Sequence, residues 1–311
     1  MNRVIGLVVG AIFMFALLIS PAEVLSSDTG AIYPGTVAVE SVSPEDDVTW
    51  TNLDNIKTDN GVYATCSLDY PQKSYRLKAR NFAFSAVPDG ATILGIVVGI
   101  ERKSDMANQV RDYRVQLLDA AGALVGTSLK SSTYYPTSDT VKSYGSTSTD
   151  AWSASPTAAM VKDVDFGVVL SSSCDGADYG VVSVDYIGMT VYYCVIPTVT
   201  TEPCDTITAT DCLAHGTIAN TGGLNCHTRG FCYKVGTTGD PTTADSKVYD
   251  NGGGSYGAGA YSKTISGLTP STSYRVRAYA INSAGTGYGT SVTVTTLSSG
   301  FSYSCGYILG G

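Results

Sequence analysis

Few side chains in this sequence have the types and spacing that catalysis requires. The two histidines are His215 and His227, so residues 1–214 lack the commonest general base and zinc ligand. The string "GGSYG" at 253–257 matches the G-x-S-x-G pattern of a nucleophile elbow, but an elbow needs a histidine later in the chain, and both histidines come earlier. We therefore expect a protein that is not an enzyme, with no catalytic and no cofactor-binding residues.

Acidic residues offer two further kinds of chemistry. A carboxylate pair for glycoside hydrolysis, drawn from Glu40, Glu101 and Asp185, stays open because nothing in the sequence fixes the separation of these groups. The segment 45–61 ("EDDVTWTNLDNIKTDNG") is rich in the oxygen ligands that calcium prefers, although it has no EF-hand spacing and Asp and Asn also favour turns. Calcium is thus the one possible cofactor. Its candidate ligands are Asp46, Asp47, Asp54 and Asp59.

The cysteines indicate disulfides rather than a metal centre. Eight are present, an even number in an acidic chain that begins with an export-type segment, and none has the Cys-x-x-Cys spacing of a zinc knuckle. A hairpin centred on 206–209 would bring Cys204 opposite Cys212, so we expect this pair first. The disulfide candidates are Cys66, Cys174, Cys194, Cys204, Cys212, Cys226, Cys232 and Cys305.

Composition and charge restrict the fold class and the partners. Charged residues make up only 15% of the chain, whereas Gly (34 residues) and Tyr (21 residues) are abundant, which favours strands joined by tight turns. The net charge of −8 excludes a nucleic-acid partner, because phosphate binding needs a basic face. We expect a protein or glycan at a surface as the partner. Trp50, Trp152 and the tyrosines would form either a sugar-stacking platform or the core, and the core is the simpler interpretation.

The N-terminal segment predicts export. Arg3 precedes an apolar run at 4–19, and small residues follow it, so residues 1–26 form a signal peptide or an N-terminal anchor. We expect a secreted or cell-surface location, with membrane contact only through this segment if it is not cleaved.

The next segments predict one domain. Residues 27–47 form a polar lead-in, and 48–194 contain many short strands without intervening helices, which indicates a jelly-roll-like β-sandwich. Strings such as "NFAFSAVPDGATILGIVVGIER", "VQLLDAAGALVG", "DFGVVL" and "VDYIGMTVYY" carry a resemblance to a module of phage and bacterial surface proteins that has no assigned activity. In "VRDYRVQLL", strict alternation would put Arg111, Tyr113, Val115 and Leu117 on one face.

A different domain follows the predicted linker at 195–203. Residues 204–297 resemble a fibronectin type III domain, and the string "GLTPSTSYRVRAYAINSAGTGYG" at 267–289 carries the likeness. The resemblance implies a tyrosine corner at Tyr274 and a contact loop at the tip of the motif. Residues 298–311 form a tail. The implied contact loop consists of Asn282, Ser283, Ala284, Gly285, Thr286 and Gly287.

The sequence therefore predicts an all-β chain of two tandem β-sandwiches behind a hydrophobic signal segment. We expect an exported structural or adhesive protein of a cell surface or virion. Two alternatives stay open. One is a carbohydrate-binding surface protein, and the other is a self-assembling subunit of an extracellular filament or sheath whose strand edges pair between copies.

Overall fold

Two antiparallel sheets of five strands each pack face to face in the first half of the chain. The structure is a computed structural model that describes residues 27–41 and 48–300. Its first ten strands are β1 (Ser27–Asp28), β2 (Thr36–Glu40), β3 (Ala64–Leu68), β4 (Arg76–Arg80), β5 (Thr92–Ser104), β6 (Val110–Leu118), β7 (Leu124–Val125), β8 (Thr140–Gly145), β9 (Gly167–Cys174) and β10 (Gly180–Cys194). One sheet has the order β1-β10-β5-β8 with β3 also beside β10, and the other has the order β2-β4-β9-β6-β7.

Among the described residues of this sandwich, helical structure is confined to two single turns. They are a 3-10 helix at Leu53–Ile56 and the helix α1 at Ala158–Lys162, which begins where the Thr157 hydroxyl accepts a hydrogen bond from the Met160 N–H. Neither is long enough to cross the sheet face, so the sheets pack directly on each other. No helix among the described residues has the length and apolar character needed to cross a bilayer.

Strand β10 follows the alternation of its sequence. Ile187, Met189 and Val191 are buried in the core, while Thr190 and Tyr192 are half-buried on the other face. β1 and β2 lie in the segment that the sequence assigns to the polar lead-in. They form strands because they pair with the edges of β10 and β4. Local composition does not reveal this pairing.

Strand β6 departs from strict alternation at a β-bulge. Asp112 pairs with Ser172 and Arg114 pairs with Ser171, so Tyr113 is an extra residue on this strand. The bulge changes the phase of the strand: Asp112 points inward, as Val115 does, whereas Tyr113 is half-buried on the outer surface. The single face predicted from Arg111, Tyr113, Val115 and Leu117 is therefore wrong at this point.

The second half of the chain forms another pair of sheets. Its strands are β11 (Thr198–Asp205), β12 (Asp211–Asn220), β13 (Cys226–Val235), β14 (Ser246–Tyr256), β15 (Gly259–Ser266), β16 (Ser273–Asn282), β17 (Gly285–Tyr288) and β18 (Val292–Thr295). One sheet has the order β11-β12-β15, and the other has the order β14-β13-β16-β17 with β18 also beside β16. β11 begins inside the predicted linker, so residues 195–197 alone connect the sandwiches. The predicted all-β sandwich class is confirmed.

The tyrosine corner is present in the second sandwich. The Thr269 N–H donates a hydrogen bond of 2.9 Å to the Tyr274 hydroxyl. Beyond the corner, alternate residues of β16 are buried in the core: Tyr274, Val276, Ala278 and Ala280. Tyr279 lies on the opposite face but is buried there too, and its ring centroid is 6.3 Å from that of Tyr288.

Hydrogen bonds tie the second sandwich to the strand that leaves the first. The Asn282 side-chain amide donates to the Val195 carbonyl (2.7 Å) and to the Thr221 carbonyl (2.8 Å), and Asn282 is only 3% exposed. The Val195 N–H donates to the Gly222 carbonyl at 2.8 Å. Both the N–H and the carbonyl of Val195 are therefore hydrogen-bonded to the second sandwich, so the connection is not a flexible tether.

We expect the change Tyr274→Phe to lower the free energy of unfolding by about 1 kcal/mol, because it removes the partner of the Thr269 N–H while leaving the ring in place. Urea unfolding followed by tryptophan and tyrosine fluorescence measures this. Tyr249→Phe is the matched control, since Tyr249 is 44% exposed. Equal stability of the two variants would contradict a role for the corner.

Candidate binding site

A buried polar network joins the two sheets of the first sandwich. Arg102 on β5 and Asp112 on β6 form an ion pair of 2.5 Å, and their side chains are 4% and 0% exposed. Asp112 also accepts hydrogen bonds from the hydroxyls of Tyr135 (2.8 Å) and Tyr144 (2.7 Å) and from the Ser131 N–H (2.7 Å). The carboxylate thus has four donors, which is what a charge in the interior requires.

The donors to Asp112 keep their protons over a wide pH range. Burial raises the pKa of both the Tyr135 and the Tyr144 hydroxyl, and the negative charge of Asp112 adds to the effect, so both hydroxyls stay protonated and continue to donate. Burial alone would lower the pKa of Arg102, but Tyr135, Asp112 and Tyr144 outweigh it and the pKa is raised. The Arg102 guanidinium also lies 4.1 Å from the centre of the Tyr135 ring.

A cavity of about 400 Å³ lies above this network, at the outer surface of the β6–β9 sheet. Its lining combines cationic side chains, serines and one tyrosine. The lining residues are Lys73, Arg111, Asp112, Tyr113, Lys130, Ser131, Ser132, Ser173 and Asp175. Three of them are in register across neighbouring chain segments, because Ser173 pairs with both Lys73 and Arg111.

The charges of the cavity are arranged around Tyr113 and Arg111. The ammonium groups of Lys73 and Lys130 lie 4.4 and 5.4 Å from the centre of the Tyr113 ring. The Arg111 guanidinium forms an ion pair with Asp175. Among the described residues, the lining contains three cationic side chains and two carboxylates, of which Asp112 is paired with Arg102 and Asp175 with Arg111. Sequence patterns do not reveal this set, since its members come from four separate segments.

A cluster of three carboxylates lies elsewhere in the same sandwich. Carboxylate oxygens of Asp59, Glu101 and Asp185 are all within 4.8 Å of one another. Asp185 is the extra residue of a β-bulge in β10, is 2% exposed, and accepts hydrogen bonds from the Asn60 N–H (3.3 Å) and the Gly61 N–H (2.9 Å). An all-oxygen set of this kind suits a hard cation such as calcium.

Of the two predicted calcium ligands that the structure describes, one belongs to the cluster. Asp59 belongs to it, whereas Asp54 forms an ion pair of 2.6 Å with Lys57, and Asp46 and Asp47 lie outside the described residues. The sequence did not indicate that Glu101 and Asp185 join Asp59, because they come from strands far along the chain. Calcium binding stays a prediction.

The cysteines among the described residues are free thiols, and most of them are buried. Cys204 and Cys212 face each other across the β11–β12 hairpin. Their hydrogen bond raises the pKa of Cys204 and lowers that of Cys212. Burial raises the pKa of Cys66 to about 12 and those of Cys226 and Cys232 to about 11. The pairing of Cys204 with Cys212 and the wider disulfide set stay predictions, and Cys305 lies outside the described residues.

The predicted contact loop packs against the connection between the sandwiches. Asn282 is buried there, as described above, and Gly287 approaches the backbone so closely that an added Cβ would lie 1.9 Å from the Pro197 carbonyl oxygen. Ser283 is exposed, as Ala284, Gly285 and Thr286 are in part. The loop therefore has a structural role, and its contact with a partner stays a prediction.

Both tryptophans belong to the core and not to a sugar-stacking surface. The indole N–H of Trp50 donates to the Tyr75 carbonyl at 2.9 Å, and that of Trp152 donates to the Ile96 carbonyl at 3.0 Å. Their rings are buried in the first sandwich. For the two tryptophans, the simpler of the two interpretations made from the sequence is confirmed.

Comparisons with known proteins identify no family for this chain. No protein-family model and no curated protein matches the chain. The sensor domain of the anti-sigma factor RsgI4 in Pseudobacteroides cellulosolvens is 18% identical over 34% of this chain and 94% of that chain, with a TM-score of 0.24. An FN3 domain of human collagen XX is 19% identical over 32% of this chain and 92% of that chain (TM-score 0.24). A β-1,2-glucanase from Parabacteroides distasonis is 9% identical over 89% of this chain and 37% of that chain (TM-score 0.26).

We expect Asp112→Asn to lower the free energy of unfolding of the first sandwich by about 3–5 kcal/mol, because it leaves the buried Arg102 charge uncompensated. Thermal unfolding followed by circular dichroism measures the loss. The control is Asp89→Asn, which removes the exposed partner of Lys162 and should leave the midpoint unchanged. If both variants behave alike, the buried pair does not stabilise the sandwich.

We expect Glu101→Gln to raise the free energy of unfolding by about 0.5 kcal/mol at pH 7. Burial, together with Asp59 and Asp185, raises the pKa of Glu101 above its ordinary 4.5. Its contribution to stability is then fully present below pH 4.5 and is lost as the pH rises through the raised value. Urea unfolding at pH 4 and pH 7 should show a gain for the variant at pH 7 only.

The same unfolding curves in calcium chloride, with EDTA as the control, test the calcium hypothesis. A cation held by the three carboxylates would reverse the sign of the stability difference between Glu101→Gln and the unchanged protein at pH 7. The substitution would then lower the free energy of unfolding. If Glu101→Gln still raises the free energy of unfolding in calcium chloride, the cluster is not a calcium site.

Proposed function

We propose that this chain is an exported, non-enzymatic structural or adhesive component of a cell surface or virion. In this proposal the first sandwich makes the contact and the second sandwich is a spacer that holds it in position. The observation that carries the proposal is the cavity on the outer face of the first sandwich, where polar and cationic side chains converge on a rigid sheet.

The cavity has the composition of a binding site and not of a catalytic one. Arg111 is paired with Asp175, and Asp112 is engaged by four donors, so neither carboxylate is available as a general base. Within the described part of the first sandwich there is no histidine to activate the neighbouring serines, because the first histidine of the chain is His215.

The spacer role rests on two rigid features of the second sandwich. The tyrosine corner at Tyr274 fixes the crossing between its sheets, and Asn282 fixes its attachment to Val195. A spacer that is rigidly attached to the first sandwich keeps that sandwich in a fixed position, whereas a flexible linker would not.

Carbohydrate binding is the second candidate function. Ser131, Ser132 and Ser173 supply hydroxyls to the cavity, and hydroxyls both donate to and accept from sugars. Filament formation has weaker support, because Lys142 lies on the exposed edge strand β8 and a lysine there opposes pairing between edges.

Export can be tested on the full chain. We expect Val9→Arg to retain the protein in the cytoplasm of a bacterial host, because it interrupts the apolar run at 4–19. Thr29→Arg, which lies beyond that run, is the matched control and should be exported normally. Cell fractionation and protease treatment of intact cells report the location. Export of Val9→Arg, or protection of the unchanged protein from protease, would contradict a surface role.

A further inference from the structure

An Asn-Gly dipeptide lies against a buried carboxylate in the loop that precedes β3. Its residues are Asn60 and Gly61, and the Gly61 N–H donates a hydrogen bond of 2.9 Å to Asp185 on β10. We propose that Asn60 is a self-modification site, at which the folded protein converts the side-chain amide to a carboxylic acid with loss of ammonia. This inference goes beyond the proposed surface function and does not depend on it.

The nucleophile of this reaction is the backbone nitrogen of Gly61. The nitrogen must give up its proton to attack the Cγ of Asn60, and a general base has to lie within hydrogen-bond reach of that proton. The Asp185 carboxylate lies at that distance and is 2% exposed. Its other oxygen accepts the Asn60 N–H at 3.3 Å, so one carboxylate holds both backbone nitrogens of the dipeptide. Because glycine has no Cβ, the attacking nitrogen is unhindered.

A hydrogen-bond donor lies where negative charge would develop. The side-chain oxygen Oδ1 of Asn60 accepts the Val62 N–H at 3.0 Å. When the Gly61 nitrogen adds to Cγ, this oxygen becomes the oxyanion of the tetrahedral intermediate, and a donor that is already in place stabilises it. The loop therefore combines a nucleophile, a base and an oxyanion donor around one amide.

The surroundings of Asp185 favour the uptake of a proton. Carboxylate oxygens of Asp59, Glu101 and Asp185 all lie within 4.8 Å of one another. Burial, followed by the charges of Asp59 and Asp185, raises the pKa of Glu101. Three like charges at this distance repel one another, so a proton that is transferred to any of them relieves the repulsion.

The reaction balances with water as the one co-reactant. The Gly61 nitrogen forms a bond to Cγ of Asn60 and its proton moves to Asp185, which returns the proton to the departing Nδ2 group, so that ammonia leaves and a cyclic imide forms. Water then adds to one imide carbonyl, its second proton goes to the nitrogen, and the C–N bond at that carbonyl breaks. Attack at Cγ gives aspartate, and attack at the backbone carbonyl gives isoaspartate. Each event adds a carboxylate beside the existing cluster, so the charge of this loop changes with the age of the molecule.

Peptide mapping by mass spectrometry, on the full chain stored in neutral buffer, tests the inference. The sequence supplies a matched control in Asn251-Gly252, because both dipeptides follow an aspartate (Asp59 and Asp250) but the backbone of the second belongs to β14 and pairs with β13. We expect Asn60 to be converted at least about tenfold faster than Asn251 in the folded protein. In urea-unfolded protein, where neither dipeptide has a positioned base, the two rates should be equal.

Substitution of the base locates the chemistry. Asp185→Asn should slow the conversion of Asn60 at least about tenfold, which is less than the roughly 10²–10⁴-fold that a positioned general base contributes in enzymes. Asp54→Asn is the control, because Asp54 is exposed and forms its ion pair with Lys57, and it should leave the rate unchanged. Circular dichroism melts confirm that the variants are folded.

Three outcomes would overturn the inference: no conversion of Asn60, conversion no faster than that of Asn251 in the folded protein, or equal rates in Asp185→Asn and Asp54→Asn. If Asp185→Asn does not fold, the comparison of the two dipeptides in folded and unfolded protein decides the question. None of these outcomes would contradict the proposed function, which depends on export and surface exposure.

Discussion

The ion pair between Arg102 and Asp112 is the constraint on which the first sandwich depends. Two charges taken out of water are tolerated when hydrogen bonds compensate them, and here the donors to Asp112 come from different elements. Tyr144 comes from β8, whereas Tyr135 and the Ser131 N–H come from the segment that precedes it. The network therefore fixes the distance between the sheets and the course of the chain at 131–135.

Two β-bulges account for the unusual placement of acidic groups. In β6 the extra residue, Tyr113, turns Asp112 inward toward Arg102, and in β10 the extra residue is Asp185 itself. A bulge lets one strand present a polar side chain where strict alternation would require an apolar one. The same bulge in β6 exposes the Tyr113 ring to Lys73 and Lys130, so the interior ion pair and the outer cavity share one local cause.

The second sandwich is held by hydrogen bonds rather than by charge. The Tyr274 hydroxyl closes the corner, and the Asn282 side-chain amide donates to the carbonyls of Val195 and Thr221. The tip of the fibronectin-like motif is thereby directed toward the first sandwich. Its position explains why Asn282, the last residue of β16, is buried although the sequence around it looks like a solvent-exposed turn.

Sequence alone determined the all-β class, most long strands and the tyrosine corner. Alternating residues identify a buried face in β10 without reference to any other element, and the motif around Tyr274 is local. The short edge strands β1 and β2 were missed, because their pairing depends on edges supplied by β10 and β4.

Only the tertiary structure decided where the candidate sites are. A one-residue bulge leaves no trace in the pattern of apolar residues, so the inward turn of Asp112 could not be foreseen. Asp59 was singled out as a calcium ligand, but Glu101 and Asp185 reach it only through the pairing of β5 with β10. Lys73, Arg111 and Lys130 are distant in sequence and converge because strand register brings their chain segments side by side. Local sequence specifies local conformation, and register between distant segments is set by the packing of the whole sandwich.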